Sequence, residues 1–127
     1  MKKKHTPTEA ELEILQILWQ IGPSSVRAVN DILNEEREVG YTTTLKIMQI
    51  MNDKGLVERD TGQRTHIYHA IAKEKDTQNN LLDSFIEKTY RGSAMRMIMQ
   101  ALGRQEASQQ ELEELKKIID QIEKQNK

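Results

Sequence analysis

The chain has 127 residues, of which 36% are hydrophobic and 31% are charged, and its formal net charge is −1. A chain of this size forms one domain, or a small domain with an arm, and its low apolar content favours a helical protein that completes its burial by dimerising. The absence of cysteine excludes disulfides, thiolate metal sites and a cysteine nucleophile. No apolar stretch reaches the roughly 18 residues that a membrane span requires. The basic residues at the start are not followed by an apolar stretch, as they would be in a signal peptide, so we expect a cytoplasmic protein.

The first part of the chain predicts two helices separated by a break. A capping box that starts at Thr6 or at Thr8 begins the first helix. Its expected buried stripe follows helical spacing and consists of Ile14, Leu15, Leu18 and Ile21. Gly22-Pro23 ends this helix, and Ser24 or Ser25 caps the second. The residues of the second helix that we expect to face inward are Val26, Val29, Ile32 and Leu33.

A third helix, from Thr42 or Thr43 to Lys54, is predicted to have two unlike faces. The face expected to be buried carries Thr44, Ile47, Met48 and Met51. The opposite face carries Thr43, Lys46, Gln49, Ile50 and Asp53. Gly55 is typical of a helix end. Small polar groups on an exposed helix match the edges of DNA bases, so this face indicates a recognition helix.

The residues after Gly55 predict a two-stranded ribbon. We expect a strand from Leu56 to Arg59, a turn at residues 60–63, and a returning strand from Arg64 to Ala70. Three helices followed by a hairpin give the order of a winged helix-turn-helix. The predicted fold is therefore mainly α, with a winged-helix domain at residues 1–72.

From about Lys73 the pattern predicts helices alone. A fourth helix ends near Gly92, a fifth ends at Gly103, and a sixth begins at a capping box formed by Ser108 and Glu111. A segment this short cannot bury the apolar stripes of all three helices within itself. We therefore interpret residues 73–127 as a helical dimerisation region. The expected dimer-interface residues are Leu82, Phe85, Met95, Ile98, Met99, Leu102, Leu112, Leu115, Ile119 and Ile122.

Contacts with DNA are predicted on the third helix and at the bend of the ribbon. The candidates on the helix are Thr42, Thr43, Lys46, Gln49 and Ile50. Threonine and lysine can reach phosphate, glutamine can pair with adenine, and isoleucine can touch a thymine methyl group. Arg64, with Gln63 and Arg59 nearby, is expected to reach phosphate or the minor groove. The alternatives are a helix cap at Thr42, an ordinary solvated helix face and a solubilising turn residue.

The charge of the chain gives no support to DNA binding, since basic and acidic residues are nearly balanced in both halves. A DNA-binding protein of this composition needs its charge separated by face rather than by segment. The acidic residues of the first half lie mostly at residues 9–13 and 35–38, away from the third helix. The basic residues Lys2, Lys3 and Lys4 form either a phosphate-binding arm or a disordered start.

The remaining polar residues predict neither a metal site nor a catalytic site. His66 and His69 are three residues apart in the returning strand, so their side chains point to opposite faces. We assign Trp19 and the methionines at helical spacing to the core. No serine has a partnered histidine and no glycine-rich loop fits phosphate, so we expect a protein that is not an enzyme and needs no cofactor.

The joint order of these segments resembles the penicillinase repressor family. The resemblance is carried by Glu11 to Trp19 in the first helix, by Tyr41-Thr42-Thr43-Thr44-Leu45, by Lys54-Gly55-Leu56-Val57, by an aromatic strand around Tyr68, by Tyr90-Arg91-Gly92, and by Glu111-Leu112-Glu113-Glu114-Leu115. It implies a winged-helix homodimer that represses antibiotic-resistance or related operons. It also implies release by a sensor partner or by proteolysis, through a membrane-bound sensor metalloprotease or its downstream protease.

Three departures from the family pattern narrow what the resemblance implies. The family often has arginine at the position of Ile50, so the base read there differs. Its resistance repressors are cleaved at an Asn-Phe bond, whereas the aligned pair here is Gln100-Ala101. Its copper-responsive members carry a cysteine-rich tail that this chain lacks. We therefore predict a homodimeric repressor on a pseudo-palindromic DNA operator; the alternative is a winged-helix protein-interaction module that binds no DNA.

Overall fold

The computed structural model describes residues 6–104 and 106–126. The predicted basic arm at Lys2, Lys3 and Lys4 lies outside these residues. The described part is mainly helical, as predicted, and its elements in chain order are α1 (Glu9–Ile21), β1 (Ser24–Ser25), α2 (Val26–Leu33), α3 (Tyr41–Lys54), β2 (Val57–Asp60), β3 (Ile67–Ala70), α4 (Glu74–Tyr90), α5 (Ala94–Arg104) and α6 (Gln109–Gln125). None of the helices in these ranges has the length and apolarity that crossing a bilayer requires.

The predicted caps of three helices, α1, α2 and α6, are confirmed by their hydrogen bonds. At the start of α1, the Glu11 amide donates to the Thr8 hydroxyl at 3.2 Å, and the Thr8 amide donates to the Glu11 carboxylate at 2.9 Å. Of the two predicted starts, the structure therefore selects Thr8. Ser25 caps α2 by accepting from the Ala28 amide at 3.1 Å. Ser108 begins α6 with the predicted capping box.

The small sheet has one strand more than predicted. Its order is β1-β3-β2 with antiparallel pairing, and the short β1 places Ser24 opposite Tyr68. The predicted strand starts at Leu56 and Arg64 were wrong, because β2 begins at Val57 and β3 begins only at Ile67. The Asp60 side chain accepts from the Gly62 amide at 2.9 Å, which closes a local turn and ends the ladder. Residues 61–66, called the wing loop below, therefore join β2 and β3.

The core lies between α1, α2, α3 and the sheet. Its most deeply buried members are Ile14, Leu15, Val29, Met48, Met51, Val57 and Tyr68. The predicted burial of Ile21 was wrong: this residue is 50% exposed, because α1 ends there and Gly22 adopts a φ of 85° that turns the chain away. Ile17 is buried instead. Ile32 and Ile47 are only half-buried, whereas Trp19 packs on the core as predicted and donates to the Ala72 carbonyl at 2.9 Å.

A buried pair of polar side chains fixes α3 against α2. Thr44 is fully buried, and its hydroxyl accepts a hydrogen bond from the Asn30 amide at 2.8 Å. Asn30 also donates to the Val39 carbonyl at 3.0 Å, in the segment that links the two helices. Thr44 and Asn30 therefore satisfy each other's polar groups, and this contact exists only when α3 lies in this rotation.

A second link joins the last turn of α3 to α1. The Lys54 ammonium lies 2.8 Å from the carboxylate of Glu11, a residue that is only 3% exposed. Burial raises the pKa of Glu11, but the hydrogen bond from Lys54 and the cap bonds from Thr8 outweigh it, so the pKa lies below its ordinary value of 4.5. Gly55 then ends α3 with a left-handed φ of 82°.

The chain divides into two compact units, Met1–Leu82 and Asp83–Lys127. The boundary between them falls within α4. The predicted boundary at residue 72 between a DNA-binding and a dimerisation region stays a prediction. In the second unit α5 and α6 bury none of their side chains, and α5 continues through Gly103, where we had predicted its end. Of the ten predicted interface residues, Leu115 is half-buried and the other nine are exposed. The nine exposed residues are Leu82, Phe85, Met95, Ile98, Met99, Leu102, Leu112, Ile119 and Ile122.

The Glu11–Lys54 link predicts a stability difference that depends on pH. A carboxyl whose folded pKa is lowered stabilises the fold above its unfolded pKa, and that contribution is lost as the pH falls through the folded pKa. We expect Glu11→Gln to lower the free energy of unfolding by about 1–3 kcal/mol near neutral pH. The difference from the parent chain should shrink as the pH falls below 4.5. Urea unfolding followed by the fluorescence of Trp19 measures it.

The matched control is Glu9→Gln, which removes the same charge from an exposed position in the same helical turn. This variant should change the stability little at any pH. An effect of Glu11→Gln that equals that of Glu9→Gln, or that stays constant down to about pH 3, would contradict the role of the link.

Candidate nucleic-acid interface

The outer face of α3 presents all the side chains that the sequence predicts as helix contacts. Because Thr44, Met48 and Met51 are fully buried, the opposite side of the helix must face solvent. The predicted residues on this side are all exposed, and they are Thr42, Thr43, Lys46, Gln49 and Ile50. Ile50 is 40% exposed, so its apolar side chain is accessible to a partner. The face combines hydroxyl, amide, ammonium and apolar groups with the carboxylate of Asp53, which is also exposed.

The start of α3 differs from the predicted start. The helix begins at Tyr41, and Gly40 occupies the N-cap position without a side-chain hydrogen bond. Thr42 is therefore not the cap but the second residue of the helix, and its exposed side chain belongs to the outer face. The interpretation of Thr42 as a cap was wrong. Two hydrogen bonds between the Asn34 side chain and the Val39 backbone hold the segment between α2 and α3, so that Gly40 lies at the cap position.

The wing loop presents the predicted ribbon contact. Arg64 and Gln63 are exposed in this loop, while Arg59 is half-buried in β2. The Arg59 amide donates to the side chain of Asn52 at 3.2 Å, which ties β2 to the last turns of α3. The ribbon is therefore fixed to the same helix whose outer face carries the predicted contacts.

A notch lies between the start of α2, the start of α3 and the wing loop, with a volume of about 310 Å³. We call it the basic notch; the polar and aromatic residues that line it include Arg27, Tyr41, Arg64, Thr65, His66 and Tyr68. The Arg27 guanidinium carbon stands 4.6 Å from the centre of the Tyr41 ring, a cation–π contact. Sequence analysis did not predict either residue as part of a site. The pattern that could have indicated them is an arginine in the first turn of one predicted helix together with an aromatic residue at the start of the next.

Two surfaces of the first unit differ in the charge of the residues that line them. A groove between α1 and the end of α2 is lined by Glu13, Glu35 and Glu36, and no basic residue lines it. We call it the acidic groove. The basic notch carries Arg27 and Arg64 and has no acidic residue in its lining. The charges of the near-neutral chain are therefore unevenly distributed between these two surfaces.

The two histidines lie in different elements. His66 lies in the wing loop, not in the returning strand as predicted, because β3 starts only at Ile67. His69 lies within β3 and is half-buried. In the part of the chain that the structure describes, no cluster of three histidine or carboxylate ligands is present.

The sequence matches one protein family and several of its members along most of its length. The sequence profile described as penicillinase repressor matches residues 7–121. The chain is 23% identical over 117 residues to the methicillin resistance regulatory protein MecI of Mammaliicoccus sciuri, with 92% of this chain and 95% of that protein covered. It is 27% identical over 118 residues to the penicillinase repressor of Staphylococcus aureus, with 91% of each covered.

A solved structure confirms the fold. The solution structure of the DNA binding domain of the repressor BlaI matches with a TM-score of 0.52 and 22% sequence identity, covering 60% of this chain and 93% of that chain. The winged-helix architecture predicted from the sequence is thus found in a known structure. Since the family profile spans nearly the whole sequence, the chain belongs to the penicillinase repressor family.

Proposed function

We propose that this chain represses transcription by binding, as a homodimer, to a pseudo-palindromic DNA operator. The observation that carries the proposal is the exposed outer face of α3, whose rotation is fixed by the buried Thr44, Met48 and Met51. An α-helix fits the major groove of B-DNA, and its side chains then reach the base edges. The names of the relatives, which are repressors and a resistance regulator, support this function.

The side chains of α3 divide the task between anchoring and reading. Thr42 and Thr43, in the first turn, have hydroxyls suited to phosphate oxygens. Lys46 and Gln49 lie farther along the outer face, where an ammonium and a carboxamide can recognise guanine and adenine edges. Ile50 offers an apolar contact to a thymine methyl group. Arg64 in the wing loop holds the flanking backbone or enters the minor groove.

Dimerisation supplies the second half of the recognition. The apolar residues of α5 and α6 are exposed, including Met95 at 65%, Met99 at 66% and Ile119 at 54%. An exposed apolar surface of this kind marks a protein–protein interface. We propose that a second copy of the chain covers it and sets the two recognition helices about one or two turns of DNA apart. Linking two half-sites raises the overall affinity without any new contact at either one.

We propose that release from DNA follows a signal that acts on the helical tail. By resemblance, the partner is a membrane-bound sensor metalloprotease or its downstream protease. Gln100 and Ala101, the pair aligned with the family's cleavage bond, are exposed within α5. The chain itself would act in the cytoplasm, without a cofactor and without catalytic activity of its own. Its membership of a repressor family supports that part of the proposal.

The alternative function, a winged-helix module that binds only protein, is not favoured. Its main support was the near-neutral charge of the chain. The difference in charge between the basic notch and the acidic groove weakens that support. The family and the relatives favour the repressor.

Replacing the cations of the predicted contact surface should weaken DNA binding without changing the mass of the dimer. We expect Lys46→Ala and Arg64→Ala each to reduce the affinity about tenfold, as the loss of one base or phosphate contact does. Fluorescence anisotropy on a duplex selected for binding from random sequence measures the affinity, and light scattering measures the mass. Lys75→Ala, an exposed lysine of α4, is the matched control. If all three variants bind as the parent chain does, the contact surface is misassigned.

An acidic residue in the stripe of α6 should prevent dimerisation. Ile119 is 54% exposed in the single chain, and a buried unpaired carboxylate at a dimer interface is strongly unfavourable. We expect Ile119→Glu to halve the mass measured by light scattering and to weaken operator binding. Lys117→Glu adds a carboxylate on the same helix but off the stripe, so this control should stay dimeric. A dimeric Ile119→Glu chain would contradict the assigned interface.

A further inference from the structure

The basic notch holds an arginine that the proposed DNA contacts do not use. Arg27 lies in the first turn of α2, and its guanidinium stacks on the ring of Tyr41, the first residue of α3. The stack restricts a side chain that is otherwise mobile, since an exposed arginine has many rotamers. The planar guanidinium is therefore held in place at the mouth of the notch before any ligand arrives.

The two arginines of the notch differ from Arg37 in their charge partners. Within residues 6–104 and 106–126, Arg27 and Arg64 form no ion pair, whereas Arg37 forms a two-pronged pair with Glu13 at 2.6 and 2.7 Å. The lining of the notch also contains the side chains of His66 and Thr65, which can donate hydrogen bonds, and it contains no carboxylate. Such a set of donors fits an anion with several oxygen atoms, and a phosphate is the group that arginine recognises in this way.

The position of the notch indicates which phosphate it takes. Its walls come from the start of α3 on one side and from the wing loop on the other. Under the proposed function, α3 enters the major groove and the wing loop reaches the flanking backbone. The strand that passes from one contact to the other therefore crosses the mouth of the notch.

We propose that the basic notch seats one phosphate of the DNA backbone in each protomer, held by Arg27 and Arg64, and that Tyr41 positions Arg27 by stacking. This proposal rests on the proposed function and adds two residues to its site. A seated phosphate fixes the register of the protein on the duplex but reads no base. Arg27 should accordingly contribute to binding of any sequence, unlike Gln49.

Salt dependence of binding to a mixed-sequence duplex tests the seat directly. Each phosphate contact contributes about 0.9 to the slope of log affinity against log salt concentration. We expect Arg27→Gln to reduce the magnitude of this slope, by at most about one per protomer because Arg64 still faces the same phosphate, and to weaken binding equally on mixed and selected sequences. Arg37→Gln removes the same charge beside the acidic groove, and its slope should equal that of the parent chain.

The possible outcomes separate this proposal from the function on which it rests. If the parent chain binds no DNA, both fail. If the parent chain binds DNA with a steep slope and Arg27→Gln keeps that slope, only the phosphate seat is refuted. Equal reductions in Arg27→Gln and Arg37→Gln would also refute it, because they would show a general charge effect. Thermal unfolding followed by circular dichroism verifies that each variant is folded.

The positioning role of Tyr41 needs a double-mutant cycle. Tyr41→Phe keeps the ring face and should bind DNA about as well as the parent chain, whereas Tyr41→Leu removes the ring and should weaken binding several-fold. Once Arg27 has been replaced by Gln, the Tyr41→Leu change should have almost no further effect, because the two residues act as one unit. Full additivity of the two losses would contradict the stacking role.

Discussion

The burial of one side of α3 is the constraint on which the rest of the structure depends. Met48 and Met51 are fully buried, and each buried methionine side chain stabilises the fold by about 1.5–3 kcal/mol. A slip of one residue would rotate the helix by about 100°, expose these side chains and bury polar ones. Thr44 makes the orientation of α3 more specific than apolar packing alone, because its hydroxyl can accept the hydrogen bond from the Asn30 amide in only one rotation of the helix. The outer face of α3 is thus determined by what its inner face must contact.

The distribution of charge bears on how a chain of net charge −1 could bind a polyanion such as DNA. Two acidic side chains of α1 are used within the fold, Glu11 with Lys54 and Glu13 with Arg37. The pKa of Glu13 is lowered by the hydrogen bond from Arg37, so this acid stays charged next to its partner. The cations around the start of α3 are left without such partners in the described ranges, and they lie beside the outer face. Net charge is therefore a poor guide to function here, whereas the distribution of charge over the surface is informative.

Much of this fold could be predicted from the sequence because its signals are local. Helical spacing and capping boxes gave α1 and α6, and Gly55 marked the end of α3. Errors arose where the outcome depends on residues far apart in the chain. The short β1 exists only because Ser24 and Ser25 meet Tyr68 and Ile67, and two residues carry no periodicity.

The candidate site shows the same division between local and long-range information. The outer face of α3 follows from helical spacing, so all its exposed residues could be named in advance. Arg27 and Tyr41 could not, since their contact joins two helices across a turn whose geometry depends on the Asn30 and Asn34 hydrogen bonds. The apolar stripes of α5 and α6 were evident in the sequence, and neither helix has a buried side chain in the part of the chain that the structure describes.

The most direct test of the central claim is to place a DNA-cleaving reagent on α3. Because the chain has no cysteine, Gln49→Cys gives one attachment site for an iron chelate on the outer face, and Gln16→Cys gives one in the acidic groove. On a bound duplex, the reagent at Gln49→Cys should cut in two clusters about one or two helical turns apart, and the reagent at Gln16→Cys should not cut. Equal cutting from both positions, or cutting from Gln16→Cys alone, would contradict the assignment of α3 as the recognition helix.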